Sequence, residues 1–276
     1  MRFELHCHST CSDGTEEASR VAARASERGV AVFALTDHDT CAATGLPVEG
    51  ARSIRGVEMS CDDAGRTVHV LAYDKGGDWA SLDARLESVR VGRKNRLVVM
   101  AARLARRGIK LDITGLVDEA DRRSVGRPDL ARAMVAAGRA SSMKDAFSRH
   151  LYDGGPVDVP HSSLSIEDAL AAGRAAGAAM WLAHPHLYDE RAAPMVKRLQ
   201  PAGLTGIEAY YGVYDTRERS RWITLADELG LVCTGGSDWH GPEEARGAVR
   251  GGADRGAVGV DLPEPRADAL LRWLGV

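Results

Sequence analysis

The sequence lacks the features that mark disulfide-bonded, membrane-spanning or thiolate-zinc proteins. Its five cysteines are odd in number and include no C-x-x-C pair, so they predict neither a disulfide framework nor a zinc–thiolate site. No stretch approaches the roughly 18 apolar residues of a transmembrane helix, and no apolar signal region precedes the first strand-like run. We therefore expect a soluble, cytoplasmic protein without a membrane partner.

An excess of basic residues is also missing. The chain has 36 Lys and Arg against 39 Asp and Glu, a formal net charge of -3. General nucleic-acid-binding proteins usually carry a strong positive charge, so we expect no binding to duplex DNA. Any anionic substrate must be held by local positive charge. The length of 276 residues suits one large domain or one domain with a smaller insert.

Two histidines stand close to the beginning of the chain. Residues 3–8 alternate like a strand, which places His6 and His8 on one face and directs Leu5 and Cys7 to the other. Asp13 follows in a Ser-Asp-Gly turn that can fold its carboxylate back over the strand end. Taken alone, this pattern fits two polar residues on an edge strand equally well. The rest of the chain favours a metal site.

Metal-capable side chains recur at the ends of short apolar runs. Six further strand-like runs are found at residues 30–35, 53–57, 67–73, 178–183, 206–209 and 231–235, and helical stretches at 17–28, 165–176 and 216–229 separate several of them. In parallel β/α folds, functional side chains gather at the carboxyl ends of the strands. We therefore expect one cluster, made of His6, His8, Asp13, His38, Glu58, His69, His184, Asp238 and His240.

Imidazoles and carboxylates without a thiolate suit zinc, manganese or iron. One zinc needs only three or four ligands, so the set predicts two or three divalent ions. Paired ions lower the pKa of a coordinated water towards about 7 and hold the attacking and leaving oxygens of a phosphoryl transfer, which indicates hydrolytic chemistry. Glu208, in an apolar run, either supports a ligand histidine through a hydrogen bond or belongs to a buried ion pair.

The segment from residue 79 to residue 160 differs from the rest. It contains helical stretches at 82–107, 114–120, 128–137 and 142–152, without a clear strand-like run. This predicts a small helical domain, residues 79–160, inserted into a unit formed by residues 1–78 and 161–276. The segment is rich in arginine, and most of its arginines are expected on solvated helix faces. Candidates for anion binding are Arg127, just before a helix, and the stripe Arg90, Arg93 and Arg96.

The motifs around these residues resemble those of the PHP (polymerase and histidinol phosphatase) family of metallophosphoesterases. The resemblance spans nearly the whole chain and is greatest to the branch with nucleoside 3′,5′-bisphosphate phosphatases and 5′-to-3′ exonucleases for short RNA. The motifs are Leu5-His6-Cys7-His8-Ser9, Ser12-Asp13-Gly14-Thr15, Ala34-Leu35-Thr36-Asp37-His38-Asp39-Thr40, Gly56-Val57-Glu58-Met59-Ser60, Val68-His69-Val70-Leu71, Ala183-His184-Pro185, Gly206-Ile207-Glu208 and Gly235-Gly236-Ser237-Asp238-Trp239-His240-Gly241.

This resemblance implies an α/β fold, a distorted (β/α)7 TIM-like barrel with the inserted helical domain, and a trinuclear site. By the family pattern, the ligands are His6, His8, Glu58 and Asp238 for one ion, Glu58, His69 and His184 for the second, and Asp13, His38 and His240 for the third. A hydroxide bridging the first two ions would attack phosphorus. Asp238, Glu58 and His240 would be catalytic, and Arg127 matches a phosphate-binding position. Manganese is the expected metal, with zinc and iron as alternatives.

The resemblance also implies a substrate class. We expect hydrolysis of a phosphate monoester of a small nucleotide, such as a nucleoside 3′,5′-bisphosphate. The alternatives are a 5′-to-3′ exonuclease for short 5′-phosphorylated RNA, a biosynthetic phosphatase for another small metabolite, and a non-catalytic metal-binding domain. Three departures alter the expected substrate wall: residues 40–55 form a shorter segment than is usual in the family, and Asp129 and Tyr214 replace histidines.

Overall fold

In the computed structural model, which describes residues 1–74, 76–160, 163–242 and 257–275, the strands form two sheets. The smaller sheet has the order β10-β1-β2-β3, in which β10 is antiparallel to β1 and the other pairs are parallel. Its strands are β1 (Arg2–Glu4), β2 (Val32–Phe33), β3 (Arg52–Ser53) and β10 (Val260–Asp261). Most of the strand-like runs predicted from the sequence are present, although β1 and β2 are shorter than expected.

The larger sheet is mixed and has the order β6-β4-β5-β7-β8-β9. Its strands are β4 (Gly56–Asp63), β5 (Arg66–Asp74), β6 (Leu164–Ser165), β7 (Ala178–Leu182), β8 (Gly206–Tyr211) and β9 (Val232–Gly236). Strand β5 is antiparallel to both neighbours, so the expected parallel order does not hold there. The reason is the two-residue turn Ala64-Gly65, where both φ angles are positive, because so short a turn can only join antiparallel strands.

Helices flank these sheets and bury one face of each helix on them. They are α1 (Ala18–Glu27), α6 (Ile166–Ala175), α7 (Ala192–Leu199), α8 (Thr216–Leu229) and α9 (Glu264–Leu274). Helix α8 shows how the sequence fixes such an element: Asp215 caps its N-terminus by accepting from the backbone of Glu218, and Gly230 ends it in the left-handed region. No helix in the described ranges is long and apolar enough to cross a membrane.

Four helices occupy residues 79–160, as the sequence predicted: α2 (Trp79–Arg106), α3 (Thr114–Glu119), α4 (Arg127–Ala136) and α5 (Met143–Arg149). The first part of α2 contributes Trp79, Leu82 and Leu86 to the main hydrophobic core. Its last part contributes Met100 and Leu104 to a second core with α4 and α5. The helical segment therefore has a core of its own, and one continuous helix joins it to the sheets.

The two sheets meet at both ends through single bridges. Cys7 pairs with Trp239 and His38 pairs with Glu58, both in parallel orientation. Beside the first bridge, the backbone amide of His8 donates to the carbonyl of Trp239 at 2.7 Å. Within the described residues, the strands thus form two sheets joined by bridges. Both bridges lie at the sheet edge where the predicted metal ligands stand.

Candidate metal centre

Glu58 occupies the middle of a buried cluster of imidazoles. Its carboxylate is contacted on both oxygens, and only 1% of the side chain is exposed. Oε1 lies 2.9 Å from His69 Nδ1 and 3.0 Å from His184 Nε2, and Oε2 lies 3.3 Å from His6 Nε2, 3.2 Å from His8 Nε2 and 3.0 Å from His38 Nδ1. A carboxylate reached from two sides has the arrangement of a ligand shared between two ions.

Asp238 completes a second group with the His-x-His pair. Its Oδ1 lies 3.4 Å from His6 Nε2 and 3.3 Å from His8 Nε2. The two imidazoles do project from one face, with ring centroids 5.3 Å apart, while Leu5 and Cys7 are buried in hydrophobic clusters. The geometry that strand alternation predicted for this pair is confirmed.

A third group forms around Asp13. His240 Nε2 lies 3.3 Å from Asp13 Oδ1, and His38 Nε2 lies 3.8 Å from Asp13 Oδ2. His8 stacks on His240 with ring centroids 4.2 Å apart, which connects this group to the previous one. All nine side chains predicted from the sequence therefore converge, in overlapping groups whose candidate ligand atoms lie within 4.8 Å of one another.

Two of these side chains lie just after strand ends, at positions where the backbone is strained. His184 and Asp238 lie two residues after the ends of β7 and β9 and have φ angles of 28° and 53°. Such angles are uncommon outside glycine and persist where surrounding contacts hold them. The amide of His184 donates to Glu208 Oε2 at 2.8 Å, and the amide of Asp238 donates to the carbonyl of His6 at 2.7 Å.

The donor atoms of the cluster have the character of metal ligands. Buried polar atoms normally find a hydrogen-bond partner, because leaving one without a partner costs roughly 1–3 kcal/mol. Within the described ranges, the buried atoms that lack a hydrogen bond include His6 Nε2, His8 Nε2, Asp13 Oδ1, His38 Nδ1 and Glu58 Oε2. These atoms point at one another at short range without the alignment of hydrogen bonds. They fit divalent cations, which would satisfy them together.

Electrostatics favours the ionised form of Glu58. Burial opposes its ionisation, but the imidazoles of His6 and His69 and the hydrogen bond with His184 hold its pKa well below its ordinary value. Burial lowers the pKa of His38 to about 3, although Glu58 and Asp13 act in the opposite direction. His38 is therefore neutral at physiological pH and has a lone pair to offer a metal.

Similar proteins agree with this chemistry. No protein-family model matches the chain. It is 34% identical over 271 residues to a 3′,5′-nucleoside bisphosphate phosphatase of Chromobacterium violaceum, covering 95% of this chain and 92% of that protein. It is 30% identical over 249 residues to a 5′-3′ exoribonuclease of Haemophilus influenzae, covering 87% of this chain and 90% of the relative.

A solved structure extends the likeness to the fold. The crystal structure of a protein from Bifidobacterium adolescentis, described as a metal-dependent phosphoesterase, matches with a TM-score of 0.79 and 26% identity, covering 98% of this chain and 95% of the other. The chain belongs to the PHP-like metal-dependent phosphoesterases. It is thus an enzyme that hydrolyses phosphate esters, and the cluster around Glu58 is its candidate metal centre.

Two carboxylates that are not proposed ligands, those of Glu208 and Asp37, support the cluster through hydrogen bonds. Glu208 Oε1 lies 2.9 Å from His6 Nδ1, so this fully buried carboxylate supports a predicted ligand histidine, one of the two roles that the sequence left open. Asp37 accepts hydrogen bonds from Ser9 Oγ at 2.7 Å and Ser12 Oγ at 2.6 Å. Asp37 thereby orders the loop that leads from His8 to Asp13.

The arginines predicted to bind substrate are all engaged in ion pairs. Their partners are Asp83 for Arg90 at 2.8 Å, Asp39 for Arg93 at 2.6 Å, Asp158 for Arg96 at 2.9 Å, and Asp153 for Arg127. Arg93 binds Asp39, the residue after His38, and also donates to Ser60 Oγ at 2.6 Å. Arg93 therefore connects α2 to the rim of the site.

Two tyrosines, which no sequence pattern identified as part of the site, form hydrogen bonds with the cluster. The hydroxyl of Tyr211 donates to Asp238 Oδ2 at 2.7 Å. The hydroxyl of Tyr188 accepts from the amide of His69 at 2.8 Å and lies 3.2 Å from His184 Nδ1. Both tyrosines are buried, and in the sequence they look like ordinary core residues of a strand and a turn. Only the three-dimensional packing identifies their contacts.

Proposed function

We propose that this phosphoesterase hydrolyses a phosphate monoester of a small nucleotide, such as a nucleoside 3′,5′-bisphosphate, with two or three divalent ions bound in the cluster. The observation that carries the proposal is the position of Glu58 between two sets of imidazoles, next to orphaned buried donor atoms. The similarity to a nucleoside bisphosphate phosphatase supports the substrate class. Manganese is the proposed metal, with zinc or iron as alternatives.

Each ion would have ligands from the chain itself. The proposed sets are His6, His8, Glu58 and Asp238 for the first ion, Glu58, His69 and His184 for the second, and Asp13, His38 and His240 for the third. Bound divalent ions would supply an activated water and neutralise charge on the phosphate oxygens. The chain contributes the carboxylates of Glu58 and Asp238, both of which lie within 3.4 Å of the imidazoles of His6 and His8.

His240 is proposed to assist the leaving group through the third ion, which it would hold together with Asp13 and His38. Its Nδ1 lies 2.8 Å from the carbonyl oxygen of Asp238 and donates to it, which fixes the ring and leaves Nε2 directed at the Asp13 group. The side chains of His240 and His69 are 14% and 23% exposed, whereas those of His6 and His8 are fully buried, so His240 and His69 stand at the open side of the cluster. A leaving oxygen would approach from that side.

Arg127 and its neighbours are proposed to bind phosphate. Burial and the nearby charges of Arg127 and Arg93 lower the pKa of Arg96, which means that these guanidinium groups repel one another. An anion between them would relieve that repulsion. The partner of Arg127, Asp153, is 83% exposed and can move away when phosphate binds. Arg90 is the fourth member of the proposed set.

The proposal extends to the architecture. The bridges Cys7–Trp239 and His38–Glu58 join the two sheets at both ends, and we propose that they close seven strands into a distorted barrel. Residues 79–160 are proposed to be a helical domain that covers substrate at the barrel mouth. The separate hydrophobic core of α2, α4 and α5 supports this division.

The decisive experiment is a phosphate-release screen. The manganese-loaded protein is offered nucleoside 3′,5′-bisphosphates, nucleoside monophosphates, sugar phosphates and short 5′-phosphorylated RNAs, with Asp238→Ala as the inactive control. We expect release from the bisphosphates to be fastest. Release only from RNA would favour the exonuclease alternative, which the similarity to an exoribonuclease supports. Release that survives both metal removal and Asp238→Ala would refute the proposed chemistry.

A further inference from the structure

Two cavities lie on either side of the turn between α3 and α4. One, of about 500 Å³, borders Thr40, two residues after His38. The other, of about 390 Å³, borders Gly14, next to Asp13. The walls of both cavities include Arg122 and Arg123. Each cavity therefore borders a residue one or two positions away from a proposed metal ligand, and both cavities lie against this turn.

The turn is fixed to the metal-bearing loop. Arg123 donates from Nη1 to the carbonyl of Ser12 at 2.7 Å, and the amide of Ser124 donates to the carbonyl of Cys11 at 3.0 Å. Ser12 is the neighbour of Asp13 in the chain. The backbone of the turn is thus fixed relative to the loop that carries Asp13, as a residue that determines specificity requires of its support.

Most charged side chains in the walls of the two cavities are paired; within the described ranges Arg122 and Glu17 are not. Arg123 is bound by Glu119 at 2.6 Å and by the buried Asp129 at 2.9 Å. Asp129, one of the departures from the family pattern, also pairs with Arg132 at 3.1 Å. The wall of the first cavity, which borders Thr40, carries a further pair, in which Lys94 binds Asp121 at 2.5 Å.

Arg122 is the unpaired cation of the two walls. Its side chain is exposed and, within the described ranges, makes no hydrogen bond or ion pair. A guanidinium group without a carboxylate partner is free to bind phosphate through two parallel hydrogen bonds. Because Arg122 stands between the cavities, it can reach a ligand group in either one.

We propose that Arg122 determines specificity by binding a second phosphate of the substrate, the one that is not hydrolysed. The inference rests on the proposed nucleotide phosphatase function and adds to it the residue that distinguishes bisphosphates from monophosphates. The positive charge has a use only when the substrate carries another anionic group. A monophosphate would occupy the metal centre without contacting Arg122.

The test compares Arg122→Ala with Arg139→Ala, an exposed arginine beyond the C-terminal end of α4. Substrates are a nucleoside 3′,5′-bisphosphate, the two corresponding monophosphates and a 5′-phosphorylated dinucleotide, and thermal unfolding verifies the fold of each variant. For Arg122→Ala we expect KM for the bisphosphate to rise about tenfold or more, the size of one lost charged hydrogen bond, with kcat nearly unchanged. KM for the monophosphates should not change, Arg122→Lys should restore part of the loss, and Arg139→Ala should resemble the wild type.

The outcomes separate this inference from the proposed function. Equal losses on bisphosphate and monophosphates, or no loss on either, would overturn the role of Arg122. A loss confined to the dinucleotide would overturn the bisphosphate assignment and give the residue a role in binding an RNA phosphodiester. If the wild type released phosphate from none of the nucleotides, the proposed function itself would fail, before any variant was measured.

Discussion

At the residue scale, the metal centre depends on side chains that never touch substrate. Glu208 is the clearest case, because one oxygen contacts the imidazole of His6 and the other accepts from the backbone of His184. It fixes the orientation of a ring and the strained backbone of a second predicted ligand at once. Supporting groups of this kind raise the basicity of the histidine and reduce the entropy that is lost when the metal binds.

Replacing Glu208 by glutamine should therefore weaken metal binding. The amide keeps the size of the side chain but loses the charge facing His6, and we expect affinity to fall by about 10–100-fold. Calorimetric titration of the metal-free protein with manganese measures the change. The matched control is Glu228→Gln, an exposed glutamate on α8, which should bind like the wild type. Equal affinity in Glu208→Gln would contradict the supporting role.

Asp37 gives a second prediction at this scale. Its carboxylate accepts from the amide and hydroxyl of Ser9 and from the hydroxyl of Ser12, so Asp37→Asn places an N–H group where an acceptor is needed. We expect a loss of about 1–3 kcal/mol in the free energy of unfolding and fewer bound ions per chain. Chemical denaturation and elemental analysis measure these. Wild-type stability with a full set of ions would disprove the assignment.

At the element scale, β5 ends in a turn that orients α2. Asp74 Oδ2 accepts from Arg55 Nε at 2.6 Å, and Oδ1 accepts from the amides of Gly76 at 2.6 Å and Gly77 at 3.0 Å. Burial opposes ionisation, but the hydrogen bonds from Arg55 and the two glycines lower the pKa of Asp74. This carboxylate therefore stabilises the fold only while it is charged.

The lowered pKa of Asp74 makes the stability of the fold depend on pH. Because the pKa is lower in the folded state, the stabilisation is present above the ordinary value of about 3.9 and is lost as the pH falls through the folded pKa. Asp74→Asn should cost about 1–2 kcal/mol at pH 7, and the difference from the wild type should shrink below about pH 4. Urea unfolding across this range measures it, with the exposed Asp268→Asn as a control that should show almost no difference. A difference that does not vary with pH would contradict the charge argument.

Much of the strand arrangement, and of the residues at the strand ends, could be predicted from the sequence. Short apolar runs identified the strands, and the rule that functional groups follow strand ends brought His38, His184 and Asp238 together. The direction of β5 was missed, because an alternating run does not show which neighbour it pairs with. The partners of Asp37 and Arg93 were also missed: these contacts join residues far apart in the chain, and only the packed structure brings them together.

At the scale of the whole molecule, metal binding and stability are coupled. The cluster gathers buried carboxylates and imidazoles whose atoms lack hydrogen bonds, so ions bound to the folded state should satisfy them. An unfolded chain offers no such site. Ligands that bind only the folded state stabilise it by mass action, by about 2.7 kcal/mol at 100 times the dissociation constant.

Removal of the metal with a chelator should consequently lower Tm. For a chain of this size we expect a decrease of about 5–10 °C relative to the manganese-loaded protein. Differential scanning calorimetry measures the shift, and Asp238→Ala, which lacks one proposed ligand, should show a smaller one. The same Tm with and without metal in the wild type would mean that the cluster binds no stabilising ion.

Helix α2 imposes a mechanical consequence on the enzyme. Helix α2 has 28 residues and is about 42 Å long, and the ion pair between Arg93 and Asp39 fixes it near its middle. If α2 rotated about that ion pair so that its C-terminal end moved towards the metal centre, Trp79 and Leu86 at its N-terminal end would leave the main core. For the covering role proposed for this helical segment, we therefore expect an opening whose width is set when the protein folds and to which the substrate must fit.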